Sequence, residues 1–245
     1  MPVYPAIKSS QVETNEVIKT DMNSYLLKTR TSDSSTLIYI GGVDTYCIEC
    51  QLEPTNPVGL LSKIEYDEKC SLTGRYERGT DTITIMTLVL EHIQSKFPYV
   101  KQLKFDDYSY RECGPGIHID LAYFYYALFG ETWYMKKMGA YFMSEADKQM
   151  FARRHSDFQK SKETMSWAQY DRYVTTEHPL PVDHIQKIYS ETTTWISFFT
   201  LLRDAVDDIG SMCVYMAPWI TTFIKERAKL RFTSYTFVMD IPNKR

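Results

Sequence analysis

The chain has 245 residues, 44% of them hydrophobic and 24% charged, enough apolar material for one sizeable core or two small ones. Twenty-eight Lys and Arg stand against 31 Asp and Glu, a formal charge of -3, so nucleic-acid binding driven by counterion release is not expected. The longest apolar runs, Leu121–Phe129 and Met212–Ile220, fall short of the roughly 20 residues of a bilayer crossing. Met1-Pro-Val-Tyr-Pro5 lacks the basic start and apolar stretch of a secretory signal, and a reducing cytosol is the expected setting.

In chain order, residues 1–36 read as an arm and a loop, with Thr29-Arg-Thr-Ser-Asp-Ser-Ser-Thr36 rich in turn formers. Short extended runs follow over 37–42, 46–52 and 59–66, separated by Gly, Asp and Pro-Thr-Asn-Pro turns, the pattern of an antiparallel meander. Cys47 and Cys50 fall in the second run, where residues three apart point to opposite faces and cannot share a tetrahedral ion. The five cysteines therefore read as core or edge thiols. His92, His118, His155, His178 and His184 make no metal-ligand spacing, so no metal is expected, and no hydrolase elbow, phosphate loop or kinase motif occurs.

From Thr80 the period changes, and Ile83, Met86, Leu90 and Ile93 form one helical face that ends near Phe97-Pro98. Val100–Asp107 is a strand, and the order strand, helix, strand implies a right-handed crossover between parallel neighbours. A helix from about Asp120 to Lys137 is apolar nearly all round, and 139–143 returns as a short strand. Three or four helices fill 144–230. Ser144 with Asp147 resembles a capping box, Pro179–Asp183 opens a helix running through Trp195 to Leu202, and Pro218 suits a first helical turn. Phe232–Asp240 is a strand that rejoins the first sheet. The expected division is an arm and loop (1–36), an α/β core (37–143), a helical insertion (144–230), and a final strand with its tail (231–245).

The turn Gly74-Arg-Tyr-Glu-Arg-Gly-Thr-Asp-Thr82 has the most chemical content, because a strand there feeds a helix N-terminus through Gly79. Free amides and the helix dipole suit an anion, Arg75 and Arg78 would add charge-assisted contacts, and Gly79, Thr80, Asp81 and Thr82 complete the candidate cofactor-binding set. The alternative is a plain cap by Thr80 or Asp81. Asp81 favours the cap, since its carboxylate can occupy the N-terminal amides and repel a pyrophosphate.

The meander, the turn at Glu77-Arg-Gly-Thr80, the helix and strand after it, and Ala127-Leu-Phe-Gly-Glu-Thr-Trp-Tyr-Met-Lys-Lys-Met-Gly-Ala140 together resemble the Gcn5-related N-acetyltransferase (GNAT) superfamily. With Gly130-Glu-Thr-Trp-Tyr134 and Thr194-Trp-Ile-Ser-Phe-Phe199, the chain is similar over roughly 70–240 to GNAT-like proteins of large nucleocytoplasmic DNA viruses. The resemblance implies an α/β (α+β) fold with a GNAT-like mixed sheet and a helical insertion in the C-terminal half. It implies an acyl-CoA pyrophosphate on the turn before the main helix, held by a Gln or Arg, two variable residues, Gly, any residue, then Gly or Ala. Tyr76 stands at the first of those positions, Gly79 matches, and Asp81 replaces the small residue. Tyr134 matches the Tyr that protonates the leaving CoA thiolate, and Asp106, Asp107 or Glu49 near strand ends would deprotonate the amine.

Two of the three cofactor-turn positions depart from the pattern. The expectation is therefore a structural or interaction protein of a large DNA virus, for example a minor capsid protein, on a degenerate GNAT-like scaffold without a cofactor. The alternative is an active N-acetyltransferase using acetyl-CoA. The implied setting is the virion or the virus factory in the host cytoplasm, with viral proteins as partners through the N-terminal arm and an aromatic surface. Aromatic residues make up 14% of the chain, with 19 Tyr, a residue type suited to interfaces. The stripe Lys225-Glu-Arg-Ala-Lys-Leu-Arg231 reads as cations at a helix C-terminus.

Overall fold

A computed structural model of the protein describes residues 11–65, 67–74, 79–174, 180–206 and 209–242. Contacts divide the chain into two compact units, Met1–Phe105 with Val238–Arg245, and Asp106–Phe237.

The first unit is a mixed sheet with one helix on it. Its strands are β1 (Val12–Lys19), β2 (Ser24–Thr31), β3 (Thr36–Gly41), β4 (Tyr46–Leu52), β5 (Val58–Ile64) and β6 (Gln102–Asp106), with α1 (Thr80–Lys96) between the last two. β1 to β5 pair in sequence, each antiparallel to the next. β5 and β6 are parallel and pair from Val58–Gln102 to Leu60–Lys104, and β5 continues to Ile64 with β4 alone beside it among the described residues. Strand β10 (Thr236–Asp240) begins in the second unit and finishes here beside β6, where Ile241 N donates to Lys101 O at 2.7 Å and Gln102 Nε2 to Asp240 Oδ1 at 3.1 Å. The expected parallel neighbours and the returning last strand are thus both present.

Alternation decides the sheet face. Tyr25 and Leu27 on β2, Ile38 and Ile40 on β3, and Ile48, Cys50 and Leu52 on β4 are all buried, and in register Leu27 lies opposite Ile40, Ile40 opposite Ile48 and Ile38 opposite Cys50. Ile85, Met86, Val89 and Ile93 of α1 supply the buried helical face. At roughly 25 cal/mol per Å² of apolar area this burial is the main stabilising contribution of the unit. Residues 12–31, expected as arm and loop, instead form β1 and β2. Lys28, Arg30 and the Ser/Thr content hide the period-two signal of Tyr25, Leu27 and Thr29.

Cys47 lies on the face of β4 opposite Cys50, and a short 3-10 helix at Glu68–Cys70, capped by Asp67, carries Cys70 to it. The two form a disulfide with Cα atoms 5.7 Å apart. Gly42 makes this approach possible, because a Cβ there would stand 2.0 Å from Lys69 O. The expectation of unpaired thiols is corrected here, and again in the second unit, while Cys50 alone stays a free, buried thiol.

The second unit holds a β-hairpin, β7 (Tyr110–Gly114) and β8 (Ile117–Asp120), then α2 (Leu121–Phe129), α3 (Trp133–Met138) and the short β9 (Tyr141–Phe142). β9 lies beside the start of β10, with Met143 N donating to Thr236 O at 2.9 Å. Six further helices are described: α4 (Glu145–Thr164), α5 (Trp167–Asp171), α6 (Val182–Glu191), α7 (Trp195–Asp204), α8 (Ile209–Met216) and α9 (Ile220–Arg227). That is more than the three or four expected, because caps divide the apolar runs. The run 120–137 breaks where Gly130 adopts a left-handed φ of 75° and Thr132 Oγ1 accepts from Met135 N to restart the chain as α3. The run 183–202 breaks where Thr194 caps α7 by accepting from Ser197 N. Ser144 caps α4 as expected, accepting from Asp147 N at 3.3 Å. A second disulfide, Cys113–Cys213, fastens β7 to α8 with Cα atoms 5.6 Å apart.

Much of the aromatic content is spent inside this unit. Tyr170, Tyr189, Trp195, Phe198 and Phe223 pack ring on ring at centroid distances from 4.7 to 6.0 Å. Within it Lys162 is 4% exposed; its Nζ donates to Tyr189 O at 2.8 Å and Thr192 O at 3.1 Å, so it caps the end of α6, and it lies 3.4 Å from the Tyr189 ring centroid.

Non-reducing peptide mapping will find Cys47 linked to Cys70 and Cys113 to Cys213, with Cys50 free. Burial pushes the Lys162 ammonium down to about 8, so between about 8 and its unfolded value the unfolded chain binds more protons and stability rises with pH. In a pH series of thermal melts, Lys162→Met will lack that rise.

Candidate functional site

Gly79 precedes α1 with a φ of 89°, a conformation open to glycine and costly for other residues. No hydrogen bond joins Asp81 to the first-turn amides of α1 among the described residues. Its carboxylate, 6% exposed, faces β2, where Oδ2 accepts from Asn23 Nδ2 at 3.0 Å and Oδ1 from Tyr25 OH at 3.1 Å. Asn23 Oδ1 in turn accepts from Thr73 Oγ1 at 2.6 Å and Ser71 Oγ at 3.3 Å. Asp81 is therefore a tie between helix and sheet, and the expectation that it caps its own helix is corrected. Thr80 opens the helix and its carbonyl accepts from Thr84 Oγ1 at 3.1 Å, while Thr82 follows in the first turn. Arg75, Tyr76, Glu77 and Arg78 lie outside the described residues.

Tyr134 sits on α3, 6% exposed and edge-on to Trp133 at 4.9 Å. Burial, with the negative charge of Asp107 added, pushes its phenol far above the ordinary tyrosine range. Asp107 follows β6 and is 2% exposed. Its Oδ1 accepts from Ser109 N at 3.0 Å and from Ser109 Oγ at 2.5 Å, while Oδ2 has no hydrogen-bond partner among the described residues. Burial first, with a smaller contribution from Asp120, pushes its carboxyl up to about 6. Of the other two candidate bases, Asp106 accepts from Thr236 Oγ1 at 3.1 Å and Glu49 from Ser62 Oγ at 3.0 Å. Asp107 is thus the carboxylate whose environment suits proton transfer near neutral pH.

The remaining surface features are open. Tyr110, Glu112, Gly116, Ile117 and His118 line a hollow of about 310 Å³ on the hairpin. Lys225 and Arg227 occupy the last turn of α9 as expected, and Lys225 also stands over the Tyr123 ring at 5.2 Å. Among the described residues no three His, Cys, Asp or Glu side chains group to hold a metal, and no helix is long and apolar enough to cross a membrane. The partners of Asp81 are invisible in the sequence, where Asn23 and Tyr25 stand 58 and 56 positions away.

Asp81→Ala will leave the Asn23 amide and Tyr25 hydroxyl without their buried acceptor. Denaturant melts should register a loss of about 1–3 kcal/mol, against a negligible change for Thr87→Ala at an exposed position of the same helix. No protein-family model, curated protein or solved structure matches the chain.

Proposed function

We propose that the chain is a structural or interaction component of a large DNA virus, such as a minor capsid protein, built on a degenerate GNAT-like scaffold. The observation that carries this reading is the Asp81 tie. The position that the resemblance reserves for a small residue beside a pyrophosphate holds a buried carboxylate engaged by Asn23 and Tyr25, which repels an incoming diphosphate. Tyr134, the matched thiolate acid, is likewise buried against Trp133. The antiparallel meander followed by α1 between parallel β5 and β6 supports the GNAT-like scaffold. Two disulfides suit a protein that persists outside the glutathione pool, as on a finished particle. Exposed Tyr110, which lines the hairpin hollow, and exposed Tyr108 offer rings for viral protein partners.

One observation favours a second reading as an acyl-CoA N-acyltransferase: the unpartnered Oδ2 of buried Asp107. There Asp107 takes a proton from an amine as its nitrogen attacks the thioester carbonyl, the carbon–sulfur bond breaks, and Tyr134 protonates the departing thiolate.

Thermal-shift measurement with acetyl-CoA separates the two. A bound coenzyme at about 100 times its dissociation constant adds about 2.7 kcal/mol; the structural reading expects no shift, and mass spectrometry of purified particles should then find the chain in the virion. A clear shift, with acyl transfer that rises as pH passes through about 6 and is lost in Asp107→Asn, would establish the enzyme instead.

A further inference from the structure

We propose that β1 is a dimerisation edge, at which two copies of this chain join antiparallel about a twofold axis through Asn15 and continue the sheet. The inference is independent of the acyl-CoA question. β1 stands at the end of the strand order and pairs with β2 along its whole length, from Val12–Thr31 to Lys19–Ser24, without a register shift. Its other edge therefore presents a regular row of backbone donors and acceptors among the described residues. Natural edges are blunted by prolines, bulges or outward lysines. Residues 12–18 contain no proline and no lysine, the strand has no bulge, and Val12 and Val17 are 59% and 53% exposed.

The strand is also complementary to itself in one register. A twofold axis normal to the sheet keeps each face on its own side, so facing residues must be an even number apart in sequence. Centred on Asn15, Val12 faces Ile18 of the second copy, Glu13 faces Val17, Thr14 faces Glu16, and Asn15 faces Asn15, with no like charges directly opposed. Centred one residue on, Glu16 would face Glu16. That register offers Glu13 to Lys19, but the carboxylate of Glu13 is already bound within its own sheet by Lys28 at 2.8 Å and Arg30 at 2.7 Å. The same ion pairs remove Glu13 as a repelling charge on the edge. The geometry points to a second copy as the occupant, because the apolar pair Val12–Ile18 forms twice and the central amides face each other.

Cysteine cross-linking of the full chain tests this at single-residue resolution. Facing Cβ atoms lie about 4.5–5.5 Å apart, so Asn15→Cys will give a covalent dimer under mild oxidation on a non-reducing gel. Glu13→Cys and Val17→Cys will each stay largely monomeric, since four residues of strand separate the two copies of either by roughly 13 Å. Mixed together, Glu13→Cys and Val17→Cys will cross-link. Asn15→Asp and Asn15→Lys, exposed changes that leave the core intact, will each weaken the wild-type dimer seen by light scattering, roughly five-fold, and an equal mixture will restore it. A monomeric wild type at tens of micromolar would overturn the proposal. So would cross-linking that is equal at positions 13, 15 and 17, or absent at 15.

Discussion

The first unit depends on α1 lying across the sheet, because β5 and β6 run parallel and a parallel pair cannot be closed by a tight turn. The helix is held in two ways. Ile85, Met86, Val89 and Ile93 bury against alternate residues of the sheet, a non-directional attraction that fixes the face but not the position along it. The Asp81 carboxylate supplies the missing coordinate. Its bonds to Asn23 and Tyr25 set where the helix begins relative to β2 and draw in Ser71 and Thr73 from the preceding loop. A buried carboxylate is tolerated there because donors from two side chains satisfy it.

The second unit solves a different problem. Its helices are short, so few have enough internal hydrogen bonding to be stable alone. Interlocking rings around Tyr170 and Trp195 tie several of them together, and Lys162 satisfies the carbonyls at the end of α6 from within that cluster. Burial strips water from the cation, which is why its proton is held weakly.

The elements legible in the sequence are those with a strong period. The helix over 80–96 and the strands over 46–52, 58–64 and 102–106 show it plainly, and the crossover between the last two strands follows from their order. β1 and β2 were hidden by composition, since a two-sided exposed strand such as β1 carries no alternation to detect. The breaks at Gly130 and Thr194 were present as residues, but an apolar run on both sides masks a cap. At the candidate site, the turn and helix N-terminus were readable, and Asp107 stood out no more than Asp106 or Glu49. Only burial separates those three carboxylates, and burial is a property of the folded chain. The disulfides were beyond reach for the same reason: Cys113 and Cys213 are 100 residues apart, and nothing local marks them as neighbours.

That last link makes the chain between Cys113 and Cys213 a covalent ring within the second unit. A protease that nicks the backbone once anywhere inside the ring leaves a single molecule of unchanged covalent mass, apart from one added water. The fragments part only when a reductant opens the bridge. Damage to the exposed loops of this unit is therefore latent in an oxidising milieu and becomes manifest on entry into a thiol-rich one.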